Sequence, residues 1–360
     1  MLTKDETYHI RKVRADFGAV DFFETGIQHS GKYYTLSFPY SNRGFIQLKY
    51  GENLECLLEA MRAIFEHIGG VPQEIWFDNT KTIVTQVIKG GGRDIAERFV
   101  RFAEHYGFKA VLINSVFGWE KGPAEKKVGY GHRNMLVTAP RFLSLDEFNT
   151  KLLRDCDAES DQEHYLHTDQ AIIDRFGLDR RSLLPLPSVP FETAGYVAVR
   201  TNKWGKFTLN RGLHEYSVSP EFVETTVHVR LTGSRVTVMD NENSVIVSHR
   251  RLYGGEGEKL QSMDWRPYLK FLERKPRSLR NSGIYEMMPE QMRLYLDTCP
   301  NSECGRILRT LSELTARTGF SSAVQTVKEA LICQATNADS LKNLYRRLYP
   351  NILELPPMQP

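Results

Sequence analysis

Hydrophobic positions change period along the chain, and the changes mark out elements. Residues 13–25 are rich in aromatic and β-branched side chains and predict a strand. His29-Ser30-Gly31 reads as a turn, 32–38 as a second strand, Asn42-Arg43-Gly44 as another turn and 45–48 as a third strand. The period then lengthens. Leu54, Leu57, Leu58, Met61, Ile64, Phe65 and Ile68 recur at three- to four-residue spacing and predict a helix stopped by Gly69-Gly70 and Pro72. A short apolar run, 74–77, predicts a strand ending in Asp78-Asn79, and 94–106 carries Ile95, Phe99, Phe102 and Tyr106 on one helical face. Residues 109–113 read as a strand. A third helix starts near Pro123, and helical patterning continues through 145–157 and 169–176. Ser144 followed by Glu147 is a capping-box pair for the first of these two.

Three antiparallel strands followed by helix, strand, helix, strand and helix is the layout of an α/β domain with a mixed, ribonuclease-H-like sheet. It is predicted to occupy residues 1–180, trailing helices included. Pro185, Pro187 and Pro190 make 181–194 an extended linker. Beyond it, short alternating strands at 225–231, 235–239 and 245–247, separated by Thr232-Gly233-Ser234 and Asp240-Asn241-Glu242-Asn243, predict a small β-barrel over 195–253. Residues 254–350 read as a glycine-rich connection and a C-terminal helical region, and 351–360 as a frayed tail.

Composition narrows the function classes. The 360 residues carry a net charge of +3, but 195–280 holds 15 Lys/Arg against 9 Asp/Glu. That local excess is compatible with a polyanionic partner. No stretch approaches the ~20 apolar residues of a membrane span, and the first residues lack the apolar core of a signal peptide. Five cysteines (Cys56, Cys156, Cys299, Cys304 and Cys333) form no CxxC pair, which argues against a disulfide framework or a zinc knuckle. A reducing, cytoplasmic setting is the expectation.

Three acids stand at positions where the inferred fold could bring them together. Asp16 lies within the first strand, Asp78 at the end of a hydrophobic strand, and Glu125 in the first turn of the helix that Pro123 opens. Carboxylates on two neighbouring strands and a nearby helix can converge on one point. Hard oxygen ligands of this kind suit Mg²⁺, which retains sites for water and substrate phosphate. Asp21 and Glu120 compete with Asp16 and Glu125. Asp21 is an odd number of residues from Asp16, so the two face opposite sides of one strand, and Glu120 precedes the helix.

At these residues the sequence resembles the IstA type of insertion-sequence transposase, in the retroviral-integrase superfamily. The resemblance is carried by Ala15-Asp16-Phe17-Gly18, Ser41-Asn42-Arg43-Gly44-Phe45, Gly69-Gly70-Val71-Pro72, Trp76-Phe77-Asp78-Asn79-Thr80-Lys81 and Lys121-Gly122-Pro123-Ala124-Glu125. Leu184-Pro185-Leu186-Pro187 and Glu215-Tyr216-Ser217-Val218 also fit, so it spans about residues 10–345. It implies a DDE recombinase with Asp16, Asp78 and Glu125 as catalytic metal ligands, using Mg²⁺ with Mn²⁺ as a substitute. It also implies double-stranded DNA (element ends and target) as substrate, an AAA+ helper ATPase as partner and a homo-oligomer on DNA. The sequence departs from the family in one respect: members carry a helix-turn-helix region before the core, whereas here the core starts close to Met1. Candidate DNA contacts are Lys81, Lys121, Lys126, Lys127 and Arg133 around the acids, and Lys203, Lys206, Arg250 and Arg251 in the barrel. Besides cleavage and strand transfer, two alternatives are a nuclease that cuts without joining and a non-catalytic DNA-binding remnant of a transposase.

Overall fold

The computed structural model describes residues 12–77, 82–87, 93–113, 135–136, 138–158 and 171–350. By the density of its internal contacts the chain divides into two compact units. The first comprises Met1–Gly195 with Thr232–Ser234, and the second Tyr196–Leu231 with Arg235–Pro360.

The first unit is built on one sheet. β1 (Lys12–Glu24), β2 (Ile27–Phe38) and β3 (Arg43–Lys49) form an antiparallel meander, and β4 (Glu74–Phe77) and β7 (Lys109–Leu112) add parallel to β1. Their order, β3-β2-β1-β4-β7, with three antiparallel strands followed by two parallel ones, is the ribonuclease-H-like topology. β5 (Val84–Val87) and β6 (Arg93–Ile95) make a separate hairpin, and β8 (Arg141–Phe142) pairs with the far end of β1. α1 (Leu54–Ile68) supplies the crossover between β3 and β4, and α2 (Glu97–Tyr106) lies between β4 and β7 in sequence.

Local chemistry sets these elements. Asn53 caps α1 by accepting from the Cys56 N–H, and Gly69, at φ 75°, ends it in a left-handed turn whose N–H returns to Phe65. The apolar stripe of α1 and the Phe99, Phe102 and Tyr106 face of α2 are buried in one core with Val13, Ala15, Tyr34 and Leu36 of the sheet. β1 and β2 turn on Thr25 and Gly26, both at positive φ, with Glu24 opposite Ile27. The turn therefore precedes His29-Ser30-Gly31, which lies inside β2, because a two-residue loop with two left-handed residues matches the strand twist. Likewise α2 begins at Glu97 and not at 94, since Arg93–Ile95 pairs with β5.

Two further helices, α3 (Leu145–Ala158) and α4 (Ile172–Arg181), tie down the meander. β3 is an edge strand, and α3 satisfies that edge. The Asn149 side chain accepts from the Leu48 N–H (2.6 Å) and donates to the Leu48 carbonyl (2.9 Å), acting as a one-residue strand. The buried Glu24 carboxylate receives the Leu145 N–H at the start of α3 and the Tyr50 hydroxyl. The Ser41-Asn42-Arg43-Gly44 motif is a clamp between the β2–β3 turn and these helices. Buried Arg43 pairs with Asp157 of α3, Arg175 of α4 donates to the Tyr40 carbonyl, and Ser41 hydrogen-bonds the buried Asp179 carboxyl. The proline-rich segment lies along α1 and α2. Arg62 donates to the Phe191 carbonyl, Arg98 to that of Thr193, and His105 to that of Val189.

The second unit begins with a small β domain of two sheets. One runs β10-β11-β15 (Lys206–Leu209, His214–Ser217 and Leu260–Ser262). The other runs β14-β13-β12-β9 (Val245–Arg250, Arg235–Met239, Thr226–Leu231 and Gly195–Arg200). Inward-facing Val227, Val229, Val236, Val238 and Val247 pack with Phe207 and Tyr216. Buried His249 donates from Nε2 to the Ser217 carbonyl and accepts from the Ser262 hydroxyl at Nδ1, pinning β15 to the rest. Six helices follow: α5 (Arg266–Arg274), α6 (Gly283–Met287), α7 (Glu290–Thr298), α8 (Cys304–Thr318), α9 (Phe320–Ile332) and α10 (Ala338–Leu348). They share a core centred on Tyr268, Leu272, Tyr295, Leu311 and Leu341. No helix among the described residues is long and apolar enough to cross a membrane.

Two stability outcomes follow from this frame. Asn149→Ala strands two buried backbone groups, so the urea midpoint should fall by an amount equivalent to about 2–4 kcal/mol. Asp179 is pushed up to about 7 by burial, against the opposing pull of the Ser41 hydrogen bonds and Arg175. Its folded-state pKa exceeds the unfolded value, so its favourable contribution is complete at acid pH and is lost as pH rises through about 7. Asp179→Asn should therefore gain stability relative to the parent as pH rises from about 4 to about 7 and hold that gain above it, read as a difference in melting temperature that widens and then levels off.

Candidate active site

β1 is the central strand: it pairs with β2 over Arg14–Glu24 and, on its other side, with β4 over Lys12–Ala15 and with β8 over Phe23–Glu24. Its parallel ladder with β4 runs Lys12↔Glu74, Val13↔Ile75, Arg14↔Trp76 and Ala15↔Phe77. The next residue on one strand is Asp16, and the next in sequence on the other is Asp78, which lies outside the described residues. Side chains alternate along a strand, so Val13 and Ala15 enter the core while Asp16 is exposed.

The Asp16 carboxylate accepts the N–H of Phe17 (2.8 Å), and its carbonyl accepts from the Thr35 hydroxyl on β2. Asp16 borders a small hollow with Ala15, Phe17, Tyr34, Leu57, Phe77, Thr82 and Ile83. The fully buried Tyr34 lies opposite Phe17, with the two rings edge to face, and its hydroxyl has no hydrogen-bond partner among the described residues. Burial, and then the negative charge of Asp16, push the Tyr34 hydroxyl pKa well above its ordinary value. Tyr34 and Thr82 carried no signal in the sequence, because an aromatic on a strand and a threonine after one read as ordinary packing and loop. Asp21 is elsewhere. It sits near the hairpin end of β1, beyond the ladder with β4, and accepts from the Ser30 hydroxyl.

Among the described residues no three His, Cys, Asp or Glu side chains converge as a metal site. Of the three predicted acids, only Asp16 is described. Glu125, its competitor Glu120, and the cations Lys81, Lys121, Lys126, Lys127 and Arg133 fall outside the described residues with Asp78.

The barrel cations divide. Arg250 is exposed on the outer face of its sheet, directly across from Arg235, and Arg251 stands over the Tyr253 ring at 5.9 Å. Lys203 is exposed beside the Trp204 ring, 5.0 Å away. Trp204 itself packs against Gly283 so closely that a β-carbon there would overlap the indole. Lys206 departs from the sequence expectation. It is buried and its ammonium pairs with Glu215 at 3.1 Å, so a phosphate could reach it only by displacing that carboxylate.

The chain is similar in sequence to known proteins over most of its length. Residues 186–260 match the family model described as Mu transposase, C-terminal domain. The transposase for insertion sequences IS1326/IS1353 of Pseudomonas aeruginosa is 28% identical over 325 residues, covering 89% of this chain and 62% of the relative. The transposase for insertion sequence element IS21, from the same organism, is 24% identical over 254 residues, covering 70% and 64%. The chain thus spans a little over three-fifths of the length of these curated relatives. Among solved structures, the HTLV-2 integrase catalytic core domain in complex with magnesium is 11% identical and covers 45% of this chain and 93% of that one. Its TM-score is 0.30, so the strand order described above, and not this overlap, carries the fold assignment. Over most of its length the chain is similar to the insertion-sequence transposases of the IS1326/IS1353 and IS21 type.

Proposed function

We propose that the chain is a DNA transposase, a polynucleotidyl transferase that cleaves a DNA strand at the end of a mobile element and joins it to a target. The observation that supports this most is the register of β1 and β4. The last paired residues of the two neighbouring strands, Ala15 and Phe77, immediately precede Asp16 and Asp78 in the sequence, so the ladder ends one residue before each acid. Glu125 is the third acid of the set. Oxygen donors of this kind fit divalent Mg²⁺, with Mn²⁺ as a substitute, and such ions when bound lower the pKa of an attacking hydroxyl and offset charge on the leaving oxygen.

The chain's own residues do the rest. Asp16, held on the central strand one residue past its ladder with β4, supplies one ligand, and Asp78 and Glu125 supply the others. Lys81, Lys121, Lys126, Lys127 and Arg133 neutralise phosphates beside the acids, and Lys203, Arg250 and Arg251 grip DNA at the barrel. The nucleophile is water in the cleavage step and the freed DNA 3′-hydroxyl in the joining step. In each step one phosphorus–oxygen bond forms as another breaks, so bond order at phosphorus is conserved. Duplex DNA, an AAA+ helper ATPase and further copies of the chain are the partners of this reading.

Asp16→Asn and Asp78→Asn each preserve shape and remove one charge. Cleavage and joining of a pre-nicked element-end duplex in Mg²⁺ or Mn²⁺ should fall at least ~100-fold in either variant, on the scale of losing one electrostatic contributor. Melting temperature without metal should stay within a few degrees of the parent, while the rise on adding Mn²⁺ should be lost. Parental activity in either variant overturns the assignment. Cutting without joining by the intact protein and its helper selects the nuclease, and neither reaction selects the non-catalytic remnant.

A further inference from the structure

The hairpin joining β10 to β11 holds an arginine in a left-handed backbone at its tip. Asn210, Arg211 and Gly212 are consecutive residues at positive φ (50°, 55° and 88°), with Arg211 at ψ 35°. Glycine adopts this conformation without penalty and asparagine tolerates it, but the β-carbon of an arginine crowds the carbonyl that follows. Strain of this kind persists where surrounding contacts compensate for it or where a function uses it. The hydrogen bonds that close the loop, from the Leu213 N–H to the Asn210 carbonyl and between the Asn210 amide and His214 Nε2, do not use the Arg211 side chain. Arg211 is exposed and makes no hydrogen bond or ion pair with the described residues, and a β-carbon added at the adjacent Gly212 would meet nothing within 4 Å.

The surroundings are cationic. Lys259 is exposed and immediately precedes Leu260, which pairs with His214 at the base of the hairpin and donates its N–H to the Leu213 carbonyl in the loop. Arg251 is close enough to His214 to help burial hold that imidazole below its ordinary pKa. The carboxylate that acts on His214 is Glu258, which also accepts the Gly255 N–H. The hairpin that carries Arg211 thus stands at the same end of the β10-β11-β15 sheet as Lys259 and Arg251, with Glu256 and Glu258 in the loop before Lys259.

We propose that this hairpin tip is a contact for the sugar-phosphate backbone of duplex DNA, in which the left-handed backbone at Arg211 projects its guanidinium beyond the sheet and Lys259 and Arg251 stand beside it. The proposal rests on the reading of DNA as the substrate and assigns it a residue that the family motifs do not contain. A positive tip that served only solubility would need no arginine in this conformation, since Asn-Gly closes such a turn more favourably.

The test measures stability and binding together on the full chain, using a random-sequence duplex titrated by fluorescence anisotropy from low to moderate salt. Arg211→Gly removes the strain and the charge together. It should melt about 2–6 °C higher than the parent. Its low-salt affinity should fall about 3- to 10-fold, and its log–log salt slope should be shallower by about 0.9, the signature of one lost phosphate contact. Arg211→Lys keeps the charge and the strain, so it should retain the parental slope and melting temperature. An Arg211→Gly protein with parental affinity and slope overturns the proposal, whatever its melting temperature. Absence of salt-sensitive binding by the parent overturns the DNA reading itself, and the proposal falls with it.

Discussion

The parallel pairing of β1 with β4 is the constraint on which the first unit depends. It joins segments some sixty residues apart and cannot be made by a tight turn, because parallel strands need a crossover. α1 supplies that crossover. Its stripe of Leu57, Leu58, Met61, Ile64 and Phe65 buries one face of the sheet, which keeps the β1–β4 register from slipping. A one-residue slip would turn Val13 and Ala15 outward and Asp16 into the core. The exposed carboxylate is therefore held in place by the burial of its neighbours, and it accepts the next N–H in the chain.

Much that resembles site chemistry in this unit is structural. Ser41-Asn42-Arg43-Gly44, one of the motifs that carried the family resemblance, clamps a turn to two helices through Arg43–Asp157 and Ser41–Asp179. Glu24 is a buried carboxylate whose partners are a helix N-terminus and a tyrosine hydroxyl, so its charge is neutralised by donors. Asn149 closes the open edge of the sheet. These polar groups are buried because each is paired, and each pairing joins segments distant in sequence. Asp16 has the opposite character, being exposed on an otherwise well-covered strand.

The β domain of the second unit shows how alternation sorts charge. Along β12, β13 and β14 most inward positions are valines, and Arg235 and Arg250, both outward, stand directly opposite each other. Like charges in that relation oppose sheet pairing. The apolar core of Val229, Val236, Val238 and Val247 outweighs them. Lys206 shows the reverse, a lysine in a Lys-Trp-Gly-Lys run that reads as surface but is buried against Glu215.

The sequence by itself determined the order of elements and the class of the fold. Period-two and period-3.6 patterns mark β1 to β4, α1 and α3 because each element buries one face and exposes another, and that alternation is written locally. Strand parity also sets Asp16 and Asp21 on opposite faces of the first strand. Tertiary structure alone decided everything that depends on pairing between distant segments. The Arg93–Ile95 strand replaced the first turn of a predicted helix, since three residues have no period of their own and are fixed by β5. Leu260–Ser262 became a strand only through β11 and His249. Lys206 and Asp179 were buried by partners that no local pattern reveals, and Arg211 was set in its left-handed turn by the closure of a hairpin. Local sequence fixes which faces are apolar, but the balance of burial, charge and strain at a given side chain is settled only when remote segments meet.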